Sequence, residues 1–266
     1  MICPLCKSQN HKQIFIAQNI HGHHLFSRQN IPILKCQDCS CIYPKIKVSN
    51  NFYKKYYSKN YQKPSTFLAK LWTKYNIYNK KKYIPKNCSL LDIGCGSGEF
   101  LNSLPINISA VGIDLQTTKI KNLNIINDDF LSYHFHQKFD VITFWHSLEH
   151  FSNPKKTINK SLELLNPQGQ ILISIPNTNS LAFKIGQKKW FHLDAPRHLF
   201  IPNEQNITKL FPQNTYQKIK YTPFEFPLDL FWSLPNLLTR IIVLPFYPIF
   251  KFFDRETLLL IIQKPN

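Results

Sequence analysis

Ser89-Leu90-Leu91-Asp92-Ile93-Gly94-Cys95-Gly96-Ser97-Gly98 is the stretch from which the rest of the chain can be read. Ser89 to Ile93 is a short apolar strand, the three glycines make a turn, and Glu99-Phe100-Leu101 opens a helix. The chain holds only seven glycines, and three of them fall within these five positions. Glycine is needed where the backbone turns left-handed, or where a ligand must touch main chain at a helix N-terminus. The stretch therefore predicts a strand-to-helix turn against which a cofactor lies.

A lone glycine turn is a weak signal, so the downstream spacing decides. Ala110 to Asp114 is a second strand, and its closing acid stands 20 residues beyond Gly94. A carboxylate at that distance reaches the two hydroxyls of a ribose. Leu123 to Asn127 is a third strand, followed by Asp128-Asp129-Phe130, and Phe139 to Trp145 is a fourth. Ser152 to Leu165 has helical periodicity and stops at Asn166-Pro167-Gln168-Gly169; Gln170 to Ile175 is a fifth strand. Strands alternating with helices at this pitch predict a mostly parallel sheet covered on both faces.

These residues resemble the class I S-adenosylmethionine-dependent methyltransferases over residues 88–212. Leu91 to Gly98 is similar to that family's first motif, Asp114 to its ribose acid, and Asp129-Phe130 to the pair flanking the adenine. Phe139-Asp140 through Leu148-Glu149-His150 looks like its fourth strand, and Asn166 to Gly169 like the turn before its fifth. Asn127 departs from the pattern, since glycine is usual before the acids. The resemblance implies an α/β, Rossmann-like doubly wound sheet of seven strands, the last antiparallel. Tyr216 to Thr222 and Thr257 to Ile262 supply the closing pair. It also implies S-adenosyl-L-methionine held by Asp92, Gly94, Gly96, Gly98, Asp114, Asp129, Phe130 and Trp145.

Methyl transfer asks little of a protein: in-line positioning, and removal of a proton from the acceptor. The catalytic candidates are His146, Glu149 and His150, which share one face if a helical turn begins there, with His198 from the later segment Trp190 to Phe200. His192 lies in that segment too, which resembles a substrate-side loop of one branch of the family. Some members carry a Glu-x-x-Glu-His sequence here and bind a divalent metal. In this chain His146 replaces the first Glu, and His198 can supply a further ligand. Three readings stay open: a general base among His146, His150 and His198, a divalent metal on His146, Glu149, His150 and His198, or plain helix capping and packing.

Ahead of this body stand Cys3-Pro4-Leu5-Cys6 and Cys36-Gln37-Asp38-Cys39. Two C-x-x-C turns close a four-sulfur tetrahedral shell, so Cys3, Cys6, Cys36 and Cys39 predict a structural Zn²⁺ in a small ribbon over residues 1–48. Cys41 is a competing ligand, and His21, His23 and His24 read as a solvated cluster. Residues 49–87 form a Lys/Tyr-rich neck, with Phe52, Tyr53, Tyr56, Tyr57 and Tyr61 among lysines. An amphipathic helix over 65–82 ends the neck and is expected to lay its apolar face on the body. Residues 88–266 make up the methyltransferase domain.

The formal charge is +18, yet 29 of the 33 basic residues are Lys, which argues against a chain selected for the bidentate arginine contacts of phosphate readers. Residues 1–89 carry 16 basic groups and one acid, while the remainder carries 17 and 14. The basic character thus belongs to the head and neck. The N-terminus lacks the features of a secretory signal, and seven cysteines in close pairs predict a reducing, cytoplasmic setting. Residues 228–253 form an apolar, aromatic insert interrupted by Arg240, Pro235, Pro245 and Pro248. It reads either as a surface for the inner face of an anionic membrane, or as a wall of the acceptor pocket or a dimer seam.

The expected activity is methyl transfer to a small molecule, a sugar or a lipid-linked glycan. The rival is an RNA methyltransferase that grips RNA with the ribbon and neck. A third possibility is a non-catalytic scaffold that keeps the fold.

Overall fold

The computed structural model describes residues 1–18, 30–47, 67–115, 122–213, 215–222, 225, 229–234 and 236–264. The histidines at 21, 23 and 24, the aromatic–lysine run of the neck and the expected helix start at Pro64-Ser65 lie outside the described residues.

The head is a three-stranded antiparallel sheet of β1 (His11–Gln18), β2 (Asn30–Cys36) and β3 (Ile42–Pro44). Its two cysteine turns are built alike. Lys7 and Ser40, each directly after the second cysteine of a pair, take φ of 63° and 62°. The Lys7 and Ser40 amides donate to the carbonyls of Cys3 and Cys36, closing each turn (3.0 and 2.9 Å). The left-handed residue reverses the chain tightly enough to aim both thiols of a pair the same way.

The body is a seven-stranded sheet made of β4 (Ser89–Ile93), β5 (Ser109–Asp114), β6 (Ile125–Asn127), β7 (Phe139–Trp145), β8 (Leu165–Pro176), β9 (Tyr216–Tyr221) and β10 (Thr257–Gln263). The order across it is β6-β5-β4-β7-β8-β10-β9. β4 to β8 run parallel, and β10 is antiparallel to both of its neighbours, β8 and β9. The central strands read as apolar runs because both faces are covered: four of the five residues of β4 and five of the seven of β10 are buried.

The helices are α1 (Phe67–Lys81), α2 (Glu99–Asn102), α3 (Pro154–Leu164), α4 (Leu181–Gly186), α5 (Glu204–Ile207), α6 (Asp229–Ser233), α7 (Leu237–Val243) and α8 (Tyr247–Phe253). α3 starts as its sequence dictates. The Asn153 side chain caps the Lys156 amide, and Pro154 sits in the first turn, where its missing N–H costs nothing. α2 is a single turn after Gly98. β8 begins at Leu165, so the turn 166–169 belongs to a long irregular strand rather than to a loop after the helix.

α1 departs in part from expectation in its orientation. Of the apolar positions Phe67, Leu68, Leu71, Trp72, Tyr75 and Tyr78 expected to face the body, Phe67, Leu71, Tyr75 and Tyr78 are exposed. Trp72, from that same set, does face the body, together with Asn76 and Lys80 at one-turn spacing. The Trp72 indole and the Asn76 amide both donate to the Glu225 carbonyl (3.2 and 2.9 Å), and Lys80 pairs with the Glu225 carboxylate (3.2 Å). Three polar contacts to one residue set this face, which the apolar periodicity describes only in part.

Head and body share one core. The ribbon cysteines, Leu34 and Tyr43 pack in a single buried cluster with strand residues such as Ile93, Phe144 and Leu258. Ile42 and Ile201 exchange two backbone hydrogen bonds, and the Asn206 amide donates to the Cys39 carbonyl (2.9 Å). Cys41 is buried at this seam, with its thiol toward the Ile42 and Ile201 carbonyls.

Candidate active site and cysteine cluster

The strand order reverses between β4 and β7, where one branch of the sheet runs outward through β5 and the other through β8. In an open α/β sheet, ligands bind in the crevice beyond the carboxyl ends of the strands at such a switch. Two segments meet there: the glycine turn after β4 and His146-Ser147 after β7.

Gly94, Gly96 and Gly98 have φ of 75°, 54° and 79°, the left-handed region that side chains avoid. A Cβ on Gly94 would stand 2.4 Å from the Cβ of Ser147, whose hydroxyl donates to the Ile93 carbonyl (2.6 Å). The Gly96 amide donates to the Asp114 carboxylate (2.9 Å), which brings the acid at the end of β5 onto the glycine turn. Asp92 lies beneath the turn and accepts a hydrogen bond from Thr143 (2.7 Å). Burial pushes its carboxyl up to about 7, against the pull of Thr143 and of the Lys80 charge.

Asp129 accepts from the Leu131 amide (2.8 Å) and so shapes the turn after β6. Phe130 is buried, with its ring against Phe135 and Phe151, and therefore backs the wall rather than lining an opening. Trp145 ends β7 edge-on to Phe100, with Lys80 over its ring at 5.1 Å. Its indole N–H is buried with no hydrogen-bond partner among the described residues.

Between α1, the end of β7, β8 and the segment after β9 lies a cavity of about 230 Å³. Tyr75, Lys80, Trp145, Ser174, Tyr221 and Glu225 are among its lining residues. Glu225 is the centre of its polar side. Its carboxylate accepts from the Ser174 hydroxyl (2.8 Å), faces Lys80, and lies 3.3 Å from His146 Nε2. Burial would raise Glu225, but the His146 and Lys80 charges hold it ionised, well below the ordinary carboxylate range. Ser174 also approaches His146 Nε2 (3.2 Å).

His146 sits at φ 52°, a strained conformation that swings its ring between two acids. Nδ1 lies 3.4 Å from Glu149, and the ring stacks on His192 at 5.9 Å. Burial alone would lower its pKa; Glu225, then Glu149, overcome that and raise it to about 9. His192 in turn meets Glu256 (3.3 Å).

Glu149, His150 and His198 form a group whose ligand atoms lie within 4.8 Å of one another. His150 Nδ1 bonds to the Arg197 carbonyl (3.0 Å) and His198 Nδ1 to the His192 carbonyl (2.7 Å). Ring orientation through Nδ1 leaves Nε2 as the ligand atom, the arrangement seen when a histidine is prepared for a metal. Neither oxygen of the buried Glu149 carboxylate has a hydrogen bond among the described residues. Of the four candidates, His146 stands apart, turned toward Glu225.

The four head cysteines converge. Cys3 and Cys39 sulfurs are 3.6 Å apart, Cys6 and Cys36 sulfurs 3.5 Å, and all four lie within 4.8 Å of one another. Zinc–sulfur bonds of about 2.3 Å in a tetrahedron put sulfurs roughly 3.8 Å apart, so the shell fits Zn²⁺. Cys41 is not one of the four.

Glu225, Ser174 and Lys80 escaped the sequence reading. Glu225 did leave a trace, as the lone acid in Pro223-Phe224-Glu225-Phe226-Pro227. Nothing distinguishes Lys80 among 29 lysines.

A doubly wound sheet with a glycine turn and a ribose-type acid at its switch point defines a nucleotide-cofactor enzyme fold. A family model described as "Methyltransferase domain" matches residues 55–220. The chain belongs to this family, within the class I S-adenosylmethionine-dependent methyltransferases. Among curated relatives, it is similar to the ubiquinone biosynthesis O-methyltransferase of Glaesserella parasuis, with 29% identity covering 50% of this chain and 58% of that one. The same-named protein of Aromatoleum aromaticum is 25% identical, covering 52% and 62%. The match thus spans little more than half the length of these relatives. Among solved structures, the plantazolicin methyltransferase BpumL with a monoazolic desmethylPZN analog and SAH shares the fold. Its TM-score is 0.50 at 20% identity, covering 81% of this chain and 91% of that one.

Proposed function

We propose that the chain transfers the methyl group of S-adenosylmethionine to a hydroxyl on a small molecule with a compact ring, aromatic or sugar, carried free or on a lipid. The observation that carries this reading is the Glu225 cavity, which reaches Trp145 at the carboxyl end of β7 and presents an ionised acid to an acceptor. Aromatic walls from Tyr75, Trp145 and Tyr221 suit a ring. The relatives named as O-methyltransferases favour an oxygen acceptor.

Asp92, Gly94, Gly96, Gly98 and Asp114 would hold the cofactor, flanked by Asp129 and Trp145, with Phe130 supporting from behind. The bound cofactor supplies an already activated methyl group. The protein's part is to seat the acceptor and receive its proton. Ser174 and His146 orient Glu225, and Glu225 accepts the hydroxyl proton. Lys80 and His146 place positive charge where the acceptor oxygen becomes anionic. A divalent cation on Glu149, His150 and His198 would add Lewis-acid polarisation from behind His146. Residues 1–48 act as a zinc ribbon, 49–87 as a neck, and 88–266 as the transferase unit.

The test is methyl-labelled S-adenosylmethionine offered with hydroxylated small molecules, glycans and RNA in parallel. Label in a small-molecule fraction supports the reading, and label in RNA alone ends it.

A further inference from the structure

We propose that the surface formed by residues 237–253 docks on an anionic lipid bilayer. An ordinary helix of a soluble protein buries its apolar side and shows its polar side. This segment is inside out. α7 buries no residue, and α8 buries only Lys251. Leu237, Leu238, Ile241, Ile242, Phe252 and Phe253 are between 59% and 72% exposed.

The polar groups turn inward. Lys251 is fully buried and bonds to Asp254 and Glu256. Arg240 donates to the Leu234 carbonyl (3.4 Å) and lies over the Phe231 ring (5.7 Å). The Tyr247 hydroxyl accepts from the Phe231 amide (3.2 Å). These contacts fasten the segment to the body by its polar atoms and leave the aliphatic and aromatic side chains facing out. Contiguous exposed apolar surface of this kind marks an interaction site.

Charge decides the partner. No acid occurs from Asn236 to Phe253. α4 and the turn after it pack against α6, at the base of the segment; Gly186 abuts Ser233 so closely that a Cβ there would stand 2.7 Å from that side chain. This neighbouring stretch exposes Lys184 and Lys188, with Ile185 also 42% exposed. Apolar side chains beside lysines match the acyl boundary and headgroups of an anionic leaflet. A second copy of the chain would bring lysine against lysine on molecules that each carry +18. Among the described residues no helix is long and apolar enough to cross a membrane, so the segment lies in the interface plane. It begins shortly after Glu225, which places the docking surface next to the cavity in sequence.

The test is flotation of the whole zinc-loaded chain with vesicles of phosphatidylcholine alone, and with about a third phosphatidylglycerol. The chain is expected to float with the anionic vesicles and to be released by salt. The double substitution Ile241→Asp with Ile242→Asp should lower the bound fraction about tenfold without changing Tm, because both side chains are solvent-exposed. Lys184→Glu with Lys188→Glu should reduce binding to the anionic vesicles only. Vesicle binding unaffected by the apolar substitutions overturns the proposal. So does a dimer in light scattering, dispersed by those substitutions, in a chain that ignores vesicles.

Discussion

His146 Nε2 lies 3.3 Å from the Glu225 carboxylate, and the Ser174 hydroxyl touches both. The contact ties the segment after β7 to the segment after β9 at the polar side of the cavity. If Glu225 takes the acceptor proton, Glu225→Gln keeps the shape and loses the base. We expect kcat to fall about a hundredfold or more, with the affinity for S-adenosylmethionine unchanged. Single-turnover rates and calorimetric titration separate the two effects.

Gly94 tests the cofactor turn. At φ 75°, with Ser147 in the way, Gly94→Ala meets both a backbone and a steric penalty. The backbone part alone is about 1–2 kcal/mol. Cofactor binding should be lost, and adding Ser147→Gly should restore stability in part only, since it removes the clash and leaves the φ. Full recovery in the double variant would show that φ does not matter there.

The parallel sheet was legible because its strands carry apolar runs separated by turn and helix signals, and Asp114 stands where its spacing from Gly94 places it. The cysteine shell was legible because metal geometry fixes ligand spacing. Glu225, Ser174 and Lys80 were not, because they come from α1, β8 and the segment after β9 and meet only in the folded chain. Local periodicity placed the face of α1 only in part: Trp72 meets the body as the apolar stripe implies, but it is joined there by the polar Asn76 and Lys80, which only the tertiary structure reveals.

Removing zinc should disturb more than the head. Cys39 and Ile42 hold Asn206 and Ile201, next to the segment bearing His198. Chelation, or Cys36→Ser, should raise amide exchange over 199–206 as well as in the ribbon. A loss of about 3 kcal/mol would lower Tm by roughly 6–12 °C. Exchange confined to the head would show that the seam carries no coupling.

Asp92 gives the cofactor-free protein a pH signature. Its folded pKa, about 7, is above the ordinary carboxylate value, so its contribution to stability is full below that ordinary value and is lost as pH rises through about 7. Stability should therefore decline from about pH 4 to about pH 7 and level off above that, and Asp92→Asn should flatten that decline while keeping an acceptor for Thr143. Denaturant midpoints across the range measure it; equal slopes in both proteins would contradict the assignment.

The central claim is methyl transfer from S-adenosylmethionine to a small-molecule hydroxyl in the Glu225 cavity. Its most direct test is label transfer by the purified chain, and by its Asp114→Ala and Glu225→Gln variants, to fractionated small molecules, glycans and RNA. The account predicts label on a hydroxyl of a small-molecule fraction, abolished by either substitution. Label in RNA alone, or turnover indifferent to Glu225, would contradict it.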